Sequence, residues 1–254
     1  MHNRVLITIC GRAGSSGFKN KNLKVFLGHP LVYYSLAAAE MFKEQVMDEA
    51  EVDICLNTDS EELAELVLCA YPKVWYIRRP ASLGEGSVPK AAVWRHCLDY
   101  MQETESREYT HLIDLDITSP LRRKMDVIGA YRLKLERPDA EMVESVCKSR
   151  RNPFFNMVMA KDGYVSPVIR SDYTSRQQAP EIYDENASIY VLDTAFFVRQ
   201  TGNMLNRCKT VPYLMKDTAV LDIDSESDFN LMQLVAQYLY DSDADYRIIH
   251  DKVR

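Results

Sequence analysis

No apolar run in these 254 residues approaches the roughly 18 needed to cross a bilayer, and every long apolar stretch is broken by charge. A chain that spans a membrane by helices is excluded. The six cysteines, at 10, 55, 69, 97, 147 and 208, include no C-x-x-C pair and lie mostly inside apolar runs. That is the pattern of buried free thiols rather than of disulfides or a structural zinc site. The five histidines (2, 29, 96, 111 and 250) form no H-E-x-x-H or H-x-H pattern, so nothing resembles an imidazole metal cage. Low-complexity tracts, internal repeats and independent linkers are missing too. With 46% hydrophobic and 27% charged residues, disordered and fibrous classes fall away. The opening Met-His-Asn-Arg lacks an h-region and a small-residue cleavage site, which makes a cytoplasmic location the expectation.

Basic charge is in short supply overall: 31 Lys and Arg stand against 37 Asp and Glu, a net −6. A generally acidic surface argues against broad nucleic-acid binding, which needs basic grooves. The distribution says more. Residues 1–24 contain Arg4, Arg12, Lys19, Lys21 and Lys24 and no acid, leaving −11 on the other 230. An acidic chain opens with an anion-seeking segment, suited to a small, locally held phosphate.

Length suits one large α/β domain, taken as 1–254. Residues 4–10 (RVLITIC) read as a buried strand, followed by the loop G-R-A-G-S-S-G and a helix over 30–46 with Pro30 in its first turn. Further strands are expected at 52–57, 74–77, 109–115, 188–192, 211–215 and 220–223. Helices are expected at 61–70, 88–101, 125–135 and 225–239, capped by Asp59 or Ser60 and by Ser225 with Asp228. Short apolar strands alternating with helices indicate a mostly parallel sheet with right-handed crossovers, whose ligands sit beyond the carboxyl ends of strands. Residues 148–186, rich in aromatics and prolines, break any helical period and read as an inserted arm.

Three constellations carry chemistry. The loop from Gly11 to Asn22, with three glycines leaving backbone N–H groups open and Arg12, Lys19 and Lys21 nearby, suits a polyphosphate. It is neither a Walker loop nor G-x-G-x-x-G. Its bland alternative is a solvated basic turn. Asp222 and Asp224 lie at i and i+2 after an apolar run; in a strand they share a face and suit a divalent cation, or else they are a turn acid beside a capping acid. Asp114 and Asp116 repeat that spacing. Ser175-Arg176-Gln177-Gln178-Ala179-Pro180, with Tyr183, Asn186 and Tyr190, offers forked donors for a carboxylate and hydroxyls, or a polar loop at a subunit interface.

In order along nearly the whole chain, these residues resemble the acylneuraminate cytidylyltransferases, the CMP-sialic acid synthetase family. Its R-x-x-S-K-G-x-x-x-K-N stands here as Arg12-Ala-Gly-Ser-Ser-Gly-Phe-Lys-Asn-Lys21-Asn22, and its S-T-D-S as Asn57-Thr58-Asp59-Ser60. The R-P pair is Arg79-Pro80, and Q-P-T-S-P-L-R is Asp116-Ile-Thr-Ser-Pro-Leu-Arg122. The R-Q-x-x-P arm and N-x-x-I-Y strand are Arg176 to Pro180 and Asn186 to Tyr190, and D-I-D is Asp222-Ile223-Asp224. The segments Asn152-Pro-Phe-Phe-Asn-Met-Val158 and Tyr183-Asp-Glu-Asn-Ala-Ser-Ile-Tyr190 look closest to the branch acting on legionaminic-acid-type bacterial sugars. Two departures stand out: Ser16 replaces a lysine, and Asp116 replaces the glutamine.

The resemblance implies a Rossmann-like, three-layer αβα nucleotidyltransferase fold whose arm, 148–186, serves dimerisation and sugar binding. It implies transfer of CMP from CTP to an acidic nine-carbon sugar with release of pyrophosphate. The catalytic residues would be Arg12, Lys21, Asp222 and Asp224, with Mg2+ or another divalent cation on Asp222 and Asp224. Gly11, Arg12, Lys21, Asn22, Arg79 and Ser87 would hold the nucleotide. Asp116, Arg176, Gln177, Asn186 and Tyr190 would hold the sugar. The expected partners are CTP, the sugar and a second copy of the chain, with no nucleic acid and no membrane. The rival readings are a glycosyltransferase with Asp114-Leu115-Asp116 as its D-x-D metal motif, and a non-enzymatic sugar- or nucleotide-binding module.

Overall fold

The computed structural model describes residues 3–14, 17–200, 204–205, 207–218 and 222–254. In chain order the elements begin with β1 (Asn3–Gly11), the small hairpin β2 (Val25–Phe26) and β3 (His29–Pro30), α1 (Leu31–Gln45), β4 (Ala50–Thr58), α2 (Glu61–Ala70) and β5 (Trp75–Arg78). They continue with α3 (Lys90–Glu105), β6 (His111–Leu115), α4 (Lys124–Glu136), β7 (Met142–Lys148), the hairpin β8 (Val158–Lys161) and β9 (Tyr164–Pro167), and β10 (Tyr183–Asp193). Last come α5 (Thr194–Phe197), β11 (Thr210–Leu214), α6 (Glu226–Ser242) and α7 (Ala244–Lys252).

Seven strands form one sheet in the order β11-β7-β10-β6-β1-β4-β5. All neighbours pair in parallel except β10, which runs antiparallel to both β6 and β7. The alternation of β1 shows how its apolar run is used. Val5, Ile7 and Ile9 pack with α1, α2, α4, α6 and α7 on one face, while Leu6 packs with Trp94, Cys97, Leu98 and Met101 of α3 on the other. Burial on both faces is why RVLITIC reads as a continuous apolar run rather than an alternating one. The result is the three-layer α/β architecture expected. All six cysteines are free, and among the described residues no helix is long and apolar enough to cross a membrane.

Caps place the helices as the side chains dictate. Ser60 accepts from Leu63 N at 3.1 Å to start α2, leaving Asp59 free for another contact. Ser225 and Asp228 form the expected capping box of α6.

Two expected strands need correction, and two features lie beyond what was expected. The strand expected at 220–223 falls partly outside the described residues, and Asp222 and Ile223 carry no strand, so the shared-face argument for Asp222 and Asp224 does not apply. The expected strand at 109–115 begins only at His111. The helix α7 was not anticipated. The segment 148–186, which breaks any helical period, carries the β8–β9 hairpin, and from Tyr183 it already belongs to β10. A register shift between Glu185 and Tyr190, with Ala187 at φ 51°, hid that strand's start from a periodic reading.

Candidate active site at the carboxyl ends of the parallel strands

After β1 the chain moves to β4 and β5 on one side and then returns to β6 on the other. The crevice at the carboxyl ends of β1 and β6 is therefore the switch point of the sheet, where open α/β folds bind ligands. Loops from four strands meet there.

The loop after β1 is folded by contacts to distant segments. Ala13 N donates to Asp59 Oδ1 at 2.7 Å. Asn22 Nδ2 donates to the Arg12 carbonyl at 3.2 Å, closing the loop on itself over Gly11. Asn20, at φ 55°, takes a left-handed conformation that asparagine tolerates, and it begins the 3-10 turn Lys21–Leu23. A Cβ at Gly17 would come within 2.6 Å of the Asp224 carbonyl, so only glycine permits this approach. The loop is thereby pressed onto the 222–224 turn. Lys21 Nζ donates to the Ile223 carbonyl at 2.7 Å and stands 3.3 Å from Asp224 Oδ1. Sequence reading expected these two regions to share a ligand, and the structure brings them into contact. Ser16 lies outside the described residues.

The second wall comes from β4, β5 and the loop leading to α3. The Arg79 side chain is buried; its Nε donates to Asn57 Oδ1 at 2.7 Å and its NH2 to the Asn57 carbonyl at 3.2 Å. Asn57 Nδ2 in turn lies 3.2 Å from His96 Nδ1. With Oδ1 accepting from Arg79, the amide nitrogen must donate, so His96 Nδ1 is the unprotonated nitrogen. Burial holds His96 below the usual imidazole range, in keeping with that role. Arg12 reaches this wall: a Cβ at Gly86 would sit 3.3 Å from its NH1. Ser87 is exposed in the same loop.

The third wall is the end of β6 and the turn after it. Asp114 is 1% exposed and accepts from Thr8 Oγ1 at 2.7 Å. Asp116 Oδ1 accepts from Thr118 N and Oγ1 at 3.0 and 2.8 Å, and its carbonyl accepts from Ser35 Oγ and Arg122 NH2 at 2.8 and 2.5 Å. Lys90, which sequence reading did not single out, lies 2.5 Å from Asp116 Oδ2 and 3.4 Å from Asp114 Oδ2. Its ammonium also stands 4.9 Å above the Tyr190 ring. Although burial acts the other way, Lys90 and the Thr118 hydrogen bonds hold the Asp116 carboxyl far below the usual range. Both oxygens of Asp116 are engaged, and so are both of Asp114. A D-x-D metal motif needs open carboxylates; these are internally paired.

Asp222 completes the floor. Its Oδ1 accepts from Ile223 N at 2.7 Å. Burial, followed by the nearby Asp116 charge, pushes its carboxyl above the usual range. The Asp224 side chain is 79% exposed. Among the described residues no group of three or more His, Cys, Asp or Glu side chains is arranged to hold a metal unaided. Two carboxylates beside a phosphate-seeking loop do suit Mg2+, which takes one or two protein carboxylates and completes its shell with water and substrate phosphate.

Of the remaining residues named from sequence, Arg176, Gln177 and Asn186 are not gathered in this crevice, whereas Tyr190 borders it. Arg176 donates from NH2 to the Ser149 carbonyl at 3.0 Å and, with Gln177, lines a hollow of about 320 Å³ on the arm. Asn186 is buried, its Oδ1 accepting from Ser145 Oγ at 2.6 Å and its amide reaching Met215 Sδ at 3.4 Å. That side chain holds the bulge of β10. Tyr190 faces the crevice side, flanked across the sheet by Asp114 and Glu144. Burial and the neighbouring Glu185 push the Glu144 carboxyl up to about 7.

A family model described as cytidylyltransferase matches residues 6–242. The chain is 32% identical over 236 residues to post-translational flagellin modification protein B of Campylobacter coli, covering 92% of this chain and 95% of that one. It is 31% identical over 234 residues to CMP-N,N'-diacetyllegionaminic acid synthase of Campylobacter jejuni subsp. jejuni, covering 91% and 94%. Among solved structures, CMP:2-keto-3-deoxy-manno-octonic acid synthetase complexed with CTP superposes with a TM-score of 0.60 at 14% identity, over 93% of this chain and all of that one. At that identity the likeness speaks for the fold.

Proposed function

The chain belongs to the cytidylyltransferase family, and from that premise we propose that it joins CTP to an acidic nine-carbon 2-keto sugar of the sialic or legionaminic type. The products are a CMP-sugar and pyrophosphate. The observation that carries this reading is the closure of the basic, glycine-bearing loop onto the acidic 222–224 turn: Lys21 touches Ile223 and Asp224, and Gly17 abuts Asp224. A triphosphate needs donors on one side and a cation on the other; this junction offers the donors and, in Asp222 and Asp224, two carboxylates that would hold the cation. The legionaminic relative favours the choice of sugar class.

In this reading the anomeric C2 hydroxyl attacks the α-phosphorus in line, forming the sugar–phosphate bond as the bond to the pyrophosphate oxygen breaks and the hydroxyl proton passes to solvent water. Gly11 and Asn22 shape the loop whose open N–H groups face the phosphates, and Arg12 and Lys21 stabilise the charge that develops on them. Arg79, fixed by Asn57, and Ser87 hold the nucleotide on the second wall. Mg2+ or another divalent cation, when bound by Asp222 and Asp224, would neutralise the triphosphate and lower the pKa of the attacking hydroxyl. Asp116 is a poor base, being spent as an acceptor for Lys90 and Thr118; its place is in the sugar wall with Tyr190, which Asn186 braces through the β10 bulge.

Arg176 and Gln177 serve the sugar carboxylate from the arm, and their hollow, lined by arm residues and none of the crevice walls, favours delivery by a second copy. The arm exposes Tyr164 (81%), Val165, Val158 and Phe155, apolar surface that a two-fold homodimer would cover. We take 1–254 as one nucleotidyltransferase domain with 148–186 as its inserted arm, acting in the cytoplasm on small molecules. Neither nucleic acid nor membrane enters the reaction.

The test is pyrophosphate release with CTP, UTP and GTP against N-acetylneuraminic acid, legionaminic acid and a shorter 2-keto sugar acid. Release with CTP and a nine-carbon acid supports the proposal. No release with any pair, together with sugar transfer from a finished nucleotide sugar, refutes it. Sedimentation at micromolar concentration showing only fully active monomer refutes the dimer.

A further inference from the structure

Lys90 opens α3 and has no part in the mechanism above. It nevertheless sits among three groups of the crevice: 2.5 Å from Asp116 Oδ2, 3.4 Å from Asp114 Oδ2 and 4.9 Å above the Tyr190 ring. Its side chain remains 29% exposed, while the Asp114 carboxylate it reaches is 1% exposed. The two aspartates stand at i and i+2 at the end of β6, and Asp222 is near enough to Asp116 to feel its charge. Without Lys90 the crevice would present a doubly negative pair to two anionic substrates. It would also present a second carboxylate pair to any divalent cation.

We propose that Lys90 is a positioning residue, a built-in counter-ion that neutralises half of the Asp114–Asp116 pair, keeps divalent metal off it, and lets an anionic sugar approach the Tyr190 wall. The charge argument is quantitative. Loss of one unit charge about 10 Å from a carboxylate, at an effective dielectric near 20, weakens binding roughly tenfold. The metal argument is one of occupancy. Thr8 and Thr118 hold one oxygen of each aspartate, and Lys90 holds the other. Replacing the ammonium by an apolar group frees two carboxylate oxygens side by side, a pair that a hard divalent cation favours. The effect on the sugar rests on the cytidyl-transfer reading; the effect on metal does not.

The experiment compares wild type, Lys90→Met, Lys90→Arg and the double variant Lys90→Met/Asp114→Asn, which removes a carboxylate that has no place in the sugar wall. Free Mn2+ is followed by electron paramagnetic resonance during titration of nucleotide-free protein. Lys90→Met should bind one more Mn2+ per chain than wild type, and the double variant should lose it again. In turnover, Lys90→Met should raise the sugar KM roughly tenfold while shifting the CTP KM much less. The double variant should regain most of the sugar affinity, because the charge balance is restored. Lys90→Arg keeps the charge and should show no extra Mn2+. A Lys90→Met protein with wild-type Mn2+ stoichiometry and unchanged sugar KM overturns the proposal. So does a double variant as impaired as the single one, which would make the lysine a packing residue. Should Lys90→Met not fold, the double variant and Lys90→Arg decide alone: a raised sugar KM in the double variant overturns the counter-ion role. Should no nine-carbon acid be turned over by wild type, the functional reading fails, and the Mn2+ count still judges Lys90.

Discussion

Asp224→Asn separates a chemical role from a structural one, because the structure makes the two effects unequal. The Asp224 side chain is 79% exposed, and its Oδ1 stands in an ion pair 3.3 Å from Lys21 Nζ. An exposed pair of that kind contributes about 0–1 kcal/mol. Lys21 also keeps its 2.7 Å bond to the Ile223 carbonyl in the variant. Asparagine preserves the size of the residue, and the main-chain N–H still donates to Asp228. Melting temperature should therefore fall by no more than about 2–4 °C. Turnover is another matter. Removing one of two carboxylates that hold a cation on the transferring phosphate should cost roughly 100-fold in kcat, about 3 kcal/mol of transition-state stabilisation. The assay is pyrophosphate release across a Mg2+ titration, alongside a thermal melt without nucleotide. A kcat within twofold of wild type with an unchanged Mg2+ midpoint would refute the reasoning. So would a melting temperature so depressed that unfolding explains the loss.

Three further outcomes follow from other parts of the molecule. Arg122 is fully buried, and its NH2 binds the Asp116 and Ser188 carbonyls at 2.5 and 2.8 Å; Arg122→Met removes a charged donor from each, though Ser35 Oγ and Asp116 N still serve them, and should destabilise by about 2 kcal/mol, a loss of about 4–8 °C in Tm by calorimetry. Burial and Glu185 push the Glu144 carboxyl up to about 7. The folded state therefore keeps a proton that the unfolded chain has released, and stability drops as pH rises from about 4.5 to 7; Glu144→Gln should be more stable than wild type by up to about 3 kcal/mol at pH 8 and nearly equal at pH 4, and equal differences in denaturant unfolding at both pH values would contradict this. Arg176→Lys replaces a planar fork by a point charge and should raise the sugar KM severalfold with little change in the CTP KM, so an unaffected sugar KM in steady-state kinetics would remove Arg176 from the site.

What was legible in the sequence was local or periodic. RVLITIC announced β1 because a central parallel strand is buried on both faces, and Ser225 with Asp228 announced the start of α6 because a cap is a contact over three residues. The loop from Gly11 to Asn22 could be found from its glycines and cations, since both the open backbone and the charge are properties of the residues themselves. Its contact with the 222–224 turn did not follow from strand placement, since Asp222 and Ile223 carry no strand. The start of β10 was less visible, because a bulge at Ala187 breaks the two-residue period that marks a strand.

The crevice walls were harder to read because their working pairs are tertiary. Asn57 and Arg79 are 22 residues apart, and Lys90 and Asp116 are 26 apart. Nothing in the stretch Gly86-Ser-Val-Pro-Lys-Ala-Ala distinguishes Lys90 from any solvent-facing lysine at a helix start; a basic residue there even opposes the helix dipole. That unfavourable placement becomes understandable only once α3 is laid across the sheet, with Lys90 beside two carboxylates whose attraction exceeds a dipole effect of about 0.3–1 kcal/mol. The same juxtaposition changes how Asp116 must be read. By spacing alone it was a second candidate metal ligand beside Asp114; with both of its oxygens engaged it becomes a fixed acceptor that braces the turn to Arg122. A carboxylate's chemistry is decided by which of its lone pairs remain open, and spacing along a chain carries no information about that.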